Sequence, residues 1–245
     1  MIPLRYIHLT SVNSTNAYLL GLPKEEQIGC VVYADEQTAG KGMGANGWES
    51  KVGENLTFSM GFDMNFLPAA QQFLLSQAVP LGLLDALDSL LPDDLSIKWP
   101  NDIYYGSHKM AGILINSSVS GRLMGTSIVG IGLNVNQMQF HDWPTNPISL
   151  KKITGNVFDL EPLLHHCAEA IARWVELLRD ASSFDRLKEA YYARMMRYHE
   201  WGEYENNGER IRRYIVGLDE FGRLQTLDEN RQEYVYDIKE LRFIL

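Results

Sequence analysis

Four short polar strings hold most of the side chains in this sequence that are equipped for chemistry. Ser14-Thr15-Asn16 opens a short helical stretch, Ala17 to Leu20, and supplies three neutral hydrogen-bonding groups. All three residue types favour helix N-caps, so a cap is the plain reading of that string alone. Gln37 to Trp48 is a loop with four glycines, Gly40, Gly42, Gly44 and Gly47, interrupted by Lys41, Met43, Ala45 and Asn46. Glycine lets a backbone approach a ligand closely, and successive N–H groups can form a concavity for an anion. A surface loop with no ligand has the same composition. In Lys98-Trp99-Pro100-Asn101-Asp102, the Asn and Asp after a proline suit a turn. In Lys109-Met110-Ala111-Gly112-Ile113-Leu114-Ile115, one lysine leads straight into an apolar strand. Lone lysines are usually solvated; one at the mouth of a pocket is placed to meet an anion.

Other chemistries lack their residues. The glycine loop has no Gly-Lys-Ser/Thr ending that opens a helix, so it is not a Walker A loop. The six histidines lie outside the four strings, and no Cys/His spacing suits zinc. No nucleophilic triad is visible. A net charge of −9 argues against broad nucleic-acid binding, which needs a surplus of Lys and Arg, but leaves room for a small anion. Two cysteines, Cys30 and Cys167, sit in apolar runs and fit a reducing compartment. The first residues lack the apolar core of a secretory signal, and no stretch approaches the ~20 apolar residues that span a bilayer. A cytoplasmic protein without a membrane role is expected.

The elements that must position these strings alternate between strand and helix. Residues 28–34 form an apolar, valine-rich run, read as a buried strand. Leu56, Phe58 and Met60 alternate with Thr57 and Ser59, giving a strand by its period of two. Apolar residues recur at helical spacing over 73–91, with Pro80 predicting a kink. Strands are expected at 95–99, 103–105, 112–115 and 127–135. Asp159 is a candidate N-cap for a helix whose apolar face carries Leu160, Leu163, Leu164, Cys167, Ile171, Trp174, Val175 and Leu178. A second helix is expected over 182–198. From 210 to 245 short strands and turn signals suit a small antiparallel barrel. The boundary is expected near 198–202, giving domains 1–198 and 199–245.

In this order and spacing, the four strings and Gly130-Ile131-Gly132-Leu133-Asn134-Val135-Asn136 resemble the catalytic domain of biotin–protein ligases along most of residues 1–195. The Lys-Trp-Pro-Asn-Asp and Lys-x-x-Gly-Ile-Leu strings are the specific part. The strand-rich tail resembles the small C-terminal domain of the same family. The resemblance implies an α+β fold: a mixed sheet flanked by helices, then a small antiparallel SH3-like β-barrel. It also implies the substrates ATP and biotin, Mg²⁺, and a biotin carboxyl carrier protein or domain as partner. A DNA partner is not expected, because the Ser-Thr-Asn string starts at residue 14; a homodimer is left open.

Site roles follow from the same resemblance. Ser14, Thr15 and Gln37 would face the ureido ring of biotin, with backbone near Gly112 and Leu114; Asn16 and Ile113 belong to the same biotin and adenylate site. Lys109 would be the catalytic side chain, meeting the biotin carboxylate and the α-phosphate. Gly40, Lys41, Gly42 and Met43 would close over the adenylate. Trp48 and Asn134 would hold adenine, and Asn101 and Asp102 would lie beside the phosphates, with Asp102 the candidate for Mg²⁺. The family's loop usually reads Gly-Arg-Gly-x-x-Gly. Here Lys41 replaces the first arginine, Met43 stands where a second is often found, and Ala45 replaces the third glycine. Two alternatives stay open: a lipoate–protein ligase-like acyl transferase, and a catalytically weakened biotin-binding regulator.

Overall fold

The computed structural model describes residues 3–43, 47–91, 94–140 and 146–245. Its first strand, β1 (Arg5–Val12), lies parallel to β2 (Cys30–Gln37), and the short helices α1 (Thr15–Leu20) and α2 (Lys24–Gln27) connect them. β3 (Leu56–Asp63) turns back antiparallel to β2, and the helix α3 (Phe73–Leu87) follows. Next come β4 (Leu95–Lys98), β5 (Asp102–Tyr105), β6 (His108–Ser120) and β7 (Leu123–Leu133), all antiparallel to their neighbours. The seven strands run in the order β1-β2-β3-β7-β6-β5-β4, a mixed sheet as expected. Helices α4 (Leu150–Thr154), α5 (Leu160–Glu176) and α6 (Phe184–Arg194) complete this part.

Alternation along the strands decides what each face does. Val31 of β2, Phe58 and Met60 of β3, Ile113 of β6, and Val129 and Ile131 of β7 are buried in the main core with α3 and α5. On the other face, Cys30, Val32 and Ile128 form a small cluster with Leu19 of α1. Beyond that cluster the second face is built from small residues, Ser59, Gly112, Gly130 and Gly132 among them. That face holds the site. Gly82 permits the close crossing of α3 and α5: a Cβ there would lie 2.5 Å from the Ile171 Cα. Pro80 is buried inside α3, which continues through it although the carbonyl of Ser76 loses its helical donor.

A second, five-stranded antiparallel sheet follows: β8 (Trp201–Asn206), β9 (Glu209–Leu218), β10 (Leu224–Leu227), β11 (Glu233–Tyr236) and β12 (Arg242–Phe243), ordered β11-β10-β9-β8-β12. Tyr204, Ile215, Leu224 and Phe243 join the same core cluster as α3 and α6. Trp99 anchors the seam by donating its indole N–H to the carbonyl of Gly222 at 2.9 Å.

Several boundaries differ from the sequence expectation. β1 was not expected; it is an edge strand with half its residues exposed, so its apolar alternation is faint. The helix expected to reach 198 stops at Arg194, where Met195 turns to bridge Ile97. The tail's first strand begins at Trp201, since Gly202 and the charged Glu203 and Glu205 hide its strand pattern. Asp159 does occupy the N-cap position of α5, without a side-chain cap bond.

Candidate active site

Strand ends and loops on the small-residue face enclose a cavity of about 350 Å³. It gathers the polar strings from distant parts of the chain. Ser14, Thr15 and Asn16 reach it from the start of α1, and Gln37 from the end of β2. Lys41, Gly42 and Met43 reach it from the glycine loop, and Trp48 from just beyond. Asn101 comes from the β4–β5 turn and Asp102 from the start of β5, Lys109, Gly112, Ile113 and Leu114 from β6, and Asn134 from just past the end of β7. Gly40 stands behind the wall rather than in it: a Cβ there would lie 2.6 Å from the carbonyl oxygen of Trp48, and the Trp48 backbone N–H donates to the Gly40 carbonyl at 3.0 Å. Gly44, Ala45 and Asn46 lie outside the described residues.

One end of the cavity is neutral and tightly hydrogen-bonded. The Thr15 backbone N–H donates to Gln37 Oε1 at 2.9 Å, and Thr15 Oγ1 lies 2.7 Å from Ser59 Oγ. Ser59 Oγ donates to Asn16 Oδ1 at 2.6 Å, while Asn16 Nδ2 donates to the Leu114 carbonyl at 3.3 Å and to Asn116 Oδ1 at 3.2 Å. Gly130 is required here, because a Cβ would stand 2.4 Å from Asn16 Oδ1. Ser14 sits at the N-cap of α1 yet makes no side-chain cap bond, so the simple cap reading fails for it.

The other end is charged. Lys109 Nζ lies 2.7 Å from Asp102 Oδ1, with the side chains 19% and 13% exposed. Such exposure leaves the pair within reach of an incoming ligand while removing most solvent screening. The lysine's backbone is fixed on both sides: its N–H donates to the Asn146 carbonyl at 3.1 Å, and its carbonyl accepts from Ile148 at 2.9 Å. Asn134 Nδ2 reaches that same carbonyl at 3.4 Å. Asn101 ties the turn to β6, donating from Nδ2 to the Ile113 carbonyl at 2.6 Å. Lys98 stands behind the turn between the rings of Tyr104 and Phe243, 5.4 and 5.0 Å from their centroids. Burial lowers its pKa, against an opposing pull from Asp102.

Between the two ends lies a slot floored by Gly112 and Gly132, cross-strand partners on β6 and β7. The Trp48 indole rests on it: a Cβ on Gly132 would come within 2.2 Å of Trp48 Cε2, and one on Gly112 within 3.2 Å of Cζ3. Lys109 Nζ is 5.9 Å from that ring's centroid. Bare glycine backbone on both strands makes room for that flat indole.

Residues 8–134 match the family model described as "Biotin/lipoate A/B protein ligase family". The chain belongs to this family. It is 34% identical over 228 residues to a biotin–[acetyl-CoA-carboxylase] ligase of Paracoccus denitrificans, covering 88% of this chain and 91% of that protein. The bifunctional ligase/repressor BirA of Escherichia coli is 34% identical over 127 residues, 52% of this chain and 39% of its own. Among solved structures, the biotin protein ligase of Aquifex aeolicus in complex with biotin and ATP superposes with a TM-score of 0.80 at 26% identity, covering 98% of both chains.

The cavity also contains residues the sequence did not single out. Phe58, Phe140 and Pro147 line the cavity, and Ser59 lies fully buried beneath it. Ser59 carried a signal: it falls on the polar side of an alternating strand. That side reads as solvent-facing until α1 is known to cover it. Among the described residues, no group of three or more His, Cys, Asp and Glu side chains could hold a metal ion, and no helix is long and apolar enough to cross a membrane.

Proposed function

We propose that the chain is an ATP-dependent biotin–protein ligase, and that the cavity runs the reaction from a neutral hydrogen-bonding end to a cationic end. The pairing of Thr15–Gln37 at one end with Lys109 at the other carries this reading. Biotin has the same polarity: a neutral ureido ring, an apolar bicycle and an anionic valerate tail. In the first step a carboxylate oxygen of biotin attacks the α-phosphorus of ATP, the bond to the bridging oxygen breaks, and pyrophosphate leaves. Two anions must approach one another, and Lys109 stands where its charge reduces that repulsion. In the second step the ε-amine of a carrier lysine attacks the acyl carbon, an amide forms, and AMP leaves with the bonding pair. Holding the partners in line supplies most of the rate, so the chain needs no nucleophile of its own.

The adenine is placed against the Trp48 indole, which covers the Gly112–Gly132 floor, with Asn134 at the cavity edge. Mg²⁺ takes few protein ligands and enters largely on substrate phosphates. The residues fit that mode: Asp102 offers one carboxylate next to Lys109, and Mg²⁺ there would neutralise phosphate charge. A biotin carboxyl carrier domain is the proposed partner. Two buried, unpaired thiols, Cys30 and Cys167, support a cytoplasmic setting.

Lipoate is the rival acyl group within the family. Its dithiolane ring offers no hydrogen bonds to Thr15 and Gln37, and buried polar groups left unpaired cost about 1–3 kcal/mol each. The test is pyrophosphate release from ATP with biotin or lipoate as the acid. Biotin-dependent release that lipoate does not elicit is expected; release with lipoate alone would overturn the proposal.

A further inference from the structure

The hydrogens at the neutral end of the cavity can be placed by chemistry alone. The backbone carbonyl of Leu114 can only accept, so the Asn16 atom 3.3 Å from it is the amide nitrogen. The opposite atom is therefore Oδ1, and Ser59 Oγ, 2.6 Å away, must donate to it. A serine hydroxyl has one proton. With that proton engaged, the 2.7 Å contact between Thr15 Oγ1 and Ser59 Oγ is donated by Thr15. The threonine proton is engaged in turn, and none remains for the 3.2 Å approach to Gln37 Oε1. A backbone N–H can only donate, so the Thr15 N–H fixes Oε1 as the Gln37 atom at 2.9 Å and leaves its NH₂ at the opposite end.

We infer that Ser59 and Asn16, through this directed chain of hydrogen bonds, set Thr15 as an obligate acceptor and so select the N–H edge of the ureido ring. They are positioning residues. Ser59 is fully buried and Asn16 is 7% exposed, and the Asn16 amide is engaged by the protein at both ends. Thr15 Oγ1 then offers a ligand only lone pairs. The ligand edge that complements it is an N–H. Gly130 belongs to the device, since a side chain there would displace Asn16.

The inference rests on the proposed reading of the cavity as a biotin site, and the test separates the two. The full-length protein is titrated calorimetrically with biotin and with its two cyclic carbamate analogues, in each of which a ring oxygen replaces one ureido N–H without added bulk. The wild-type protein should disfavour one carbamate isomer, with oxygen facing Thr15, by ~10²-fold relative to biotin, because two acceptors then oppose each other. In Ser59→Ala the Thr15 proton is released and can turn toward the ring oxygen, so that ratio should fall to within ~10-fold. Asn16→Ala should have the same effect by freeing the Ser59 proton, and it serves if Ser59→Ala does not fold. The ratio for the other isomer, which keeps its N–H toward Thr15, should not move. A disfavoured-isomer ratio unchanged in a folded variant would overturn the inference while leaving the biotin site intact. Failure of the wild-type protein to bind biotin would overturn both.

Discussion

Lys109 holds Asp102 Oδ1 at 2.7 Å, so with no substrate the cation already has a partner. An incoming carboxylate or phosphate competes for that ammonium. The arrangement keeps Lys109 extended into the cavity rather than folded onto the surface, while its backbone is clamped by Asn146 and Ile148. Removing one preorganised charge-stabilising group typically lowers the rate by ~10²–10³. Lys109→Ala should therefore nearly abolish biotin-dependent pyrophosphate release. It also leaves Asp102 without its counter-ion at 13% exposure, so some stability should be lost. Adding Asp102→Asn removes the orphaned charge and should restore stability without restoring rate. Near-normal pyrophosphate release by folded Lys109→Ala would refute the role.

At the scale of elements, the glycine loop departs from the family pattern with Lys41 and Met43 at the cavity wall. Arginine offers several fixed donors to a phosphate, lysine one point charge, and methionine none. The loop should therefore hold the reactive adenylate loosely and release some into solution. Labelling of a bystander protein in the presence of biotin and ATP measures the leak, and Met43→Arg should reduce it without slowing adenylate formation. Equal, negligible labelling by both proteins would contradict this. The β9–β10 turn gives a second test. Gly222 has φ +83°, and a Cβ there would lie 2.1 Å from the Phe73 ring. Gly222→Ala should destabilise the protein by about 2–5 kcal/mol, from a left-handed backbone carrying a Cβ and an overpacked ring. Chemical denaturation reads the change; unaltered stability would mean the seam yields freely.

The strings that line the cavity were legible because their chemistry is local: a lysine before a glycine-bearing strand, an Asn-Asp turn, a run of glycines. Helix α5 was legible through its apolar stripe, and Leu163, Leu164, Cys167, Ile171 and Val175 are all buried. Ser59 and Gly130 were not legible as parts of one hydrogen-bonded unit. Their role depends on Asn16 meeting β3, β6 and β7 at a single point, a contact between residues far apart in the chain. Edge strand β1 was hidden for a different reason: its exposed face dilutes the alternation that marks half-buried strands.

Across the whole molecule, one core links the two sheets to the reacting groups. Phe243 of β12 packs over Lys98, Trp99 reaches Gly222, and the turn between them carries Asn101 and Asp102 to the cavity. The small C-terminal sheet thus buttresses the segment that presents Asp102 to Lys109. We propose the division at 1–198 and 199–245 as two domains of one catalytic body. The proposed activity ends in the transfer of biotin to another protein. The most direct measurement is intact-mass and peptide mass spectrometry of a biotin carboxyl carrier domain after incubation with this protein, ATP, Mg²⁺ and biotin. A gain of one biotin less one water, on a single carrier lysine, that requires both ATP and biotin is expected. A carrier domain that stays unmodified beside folded, biotin-binding protein would contradict the proposed activity.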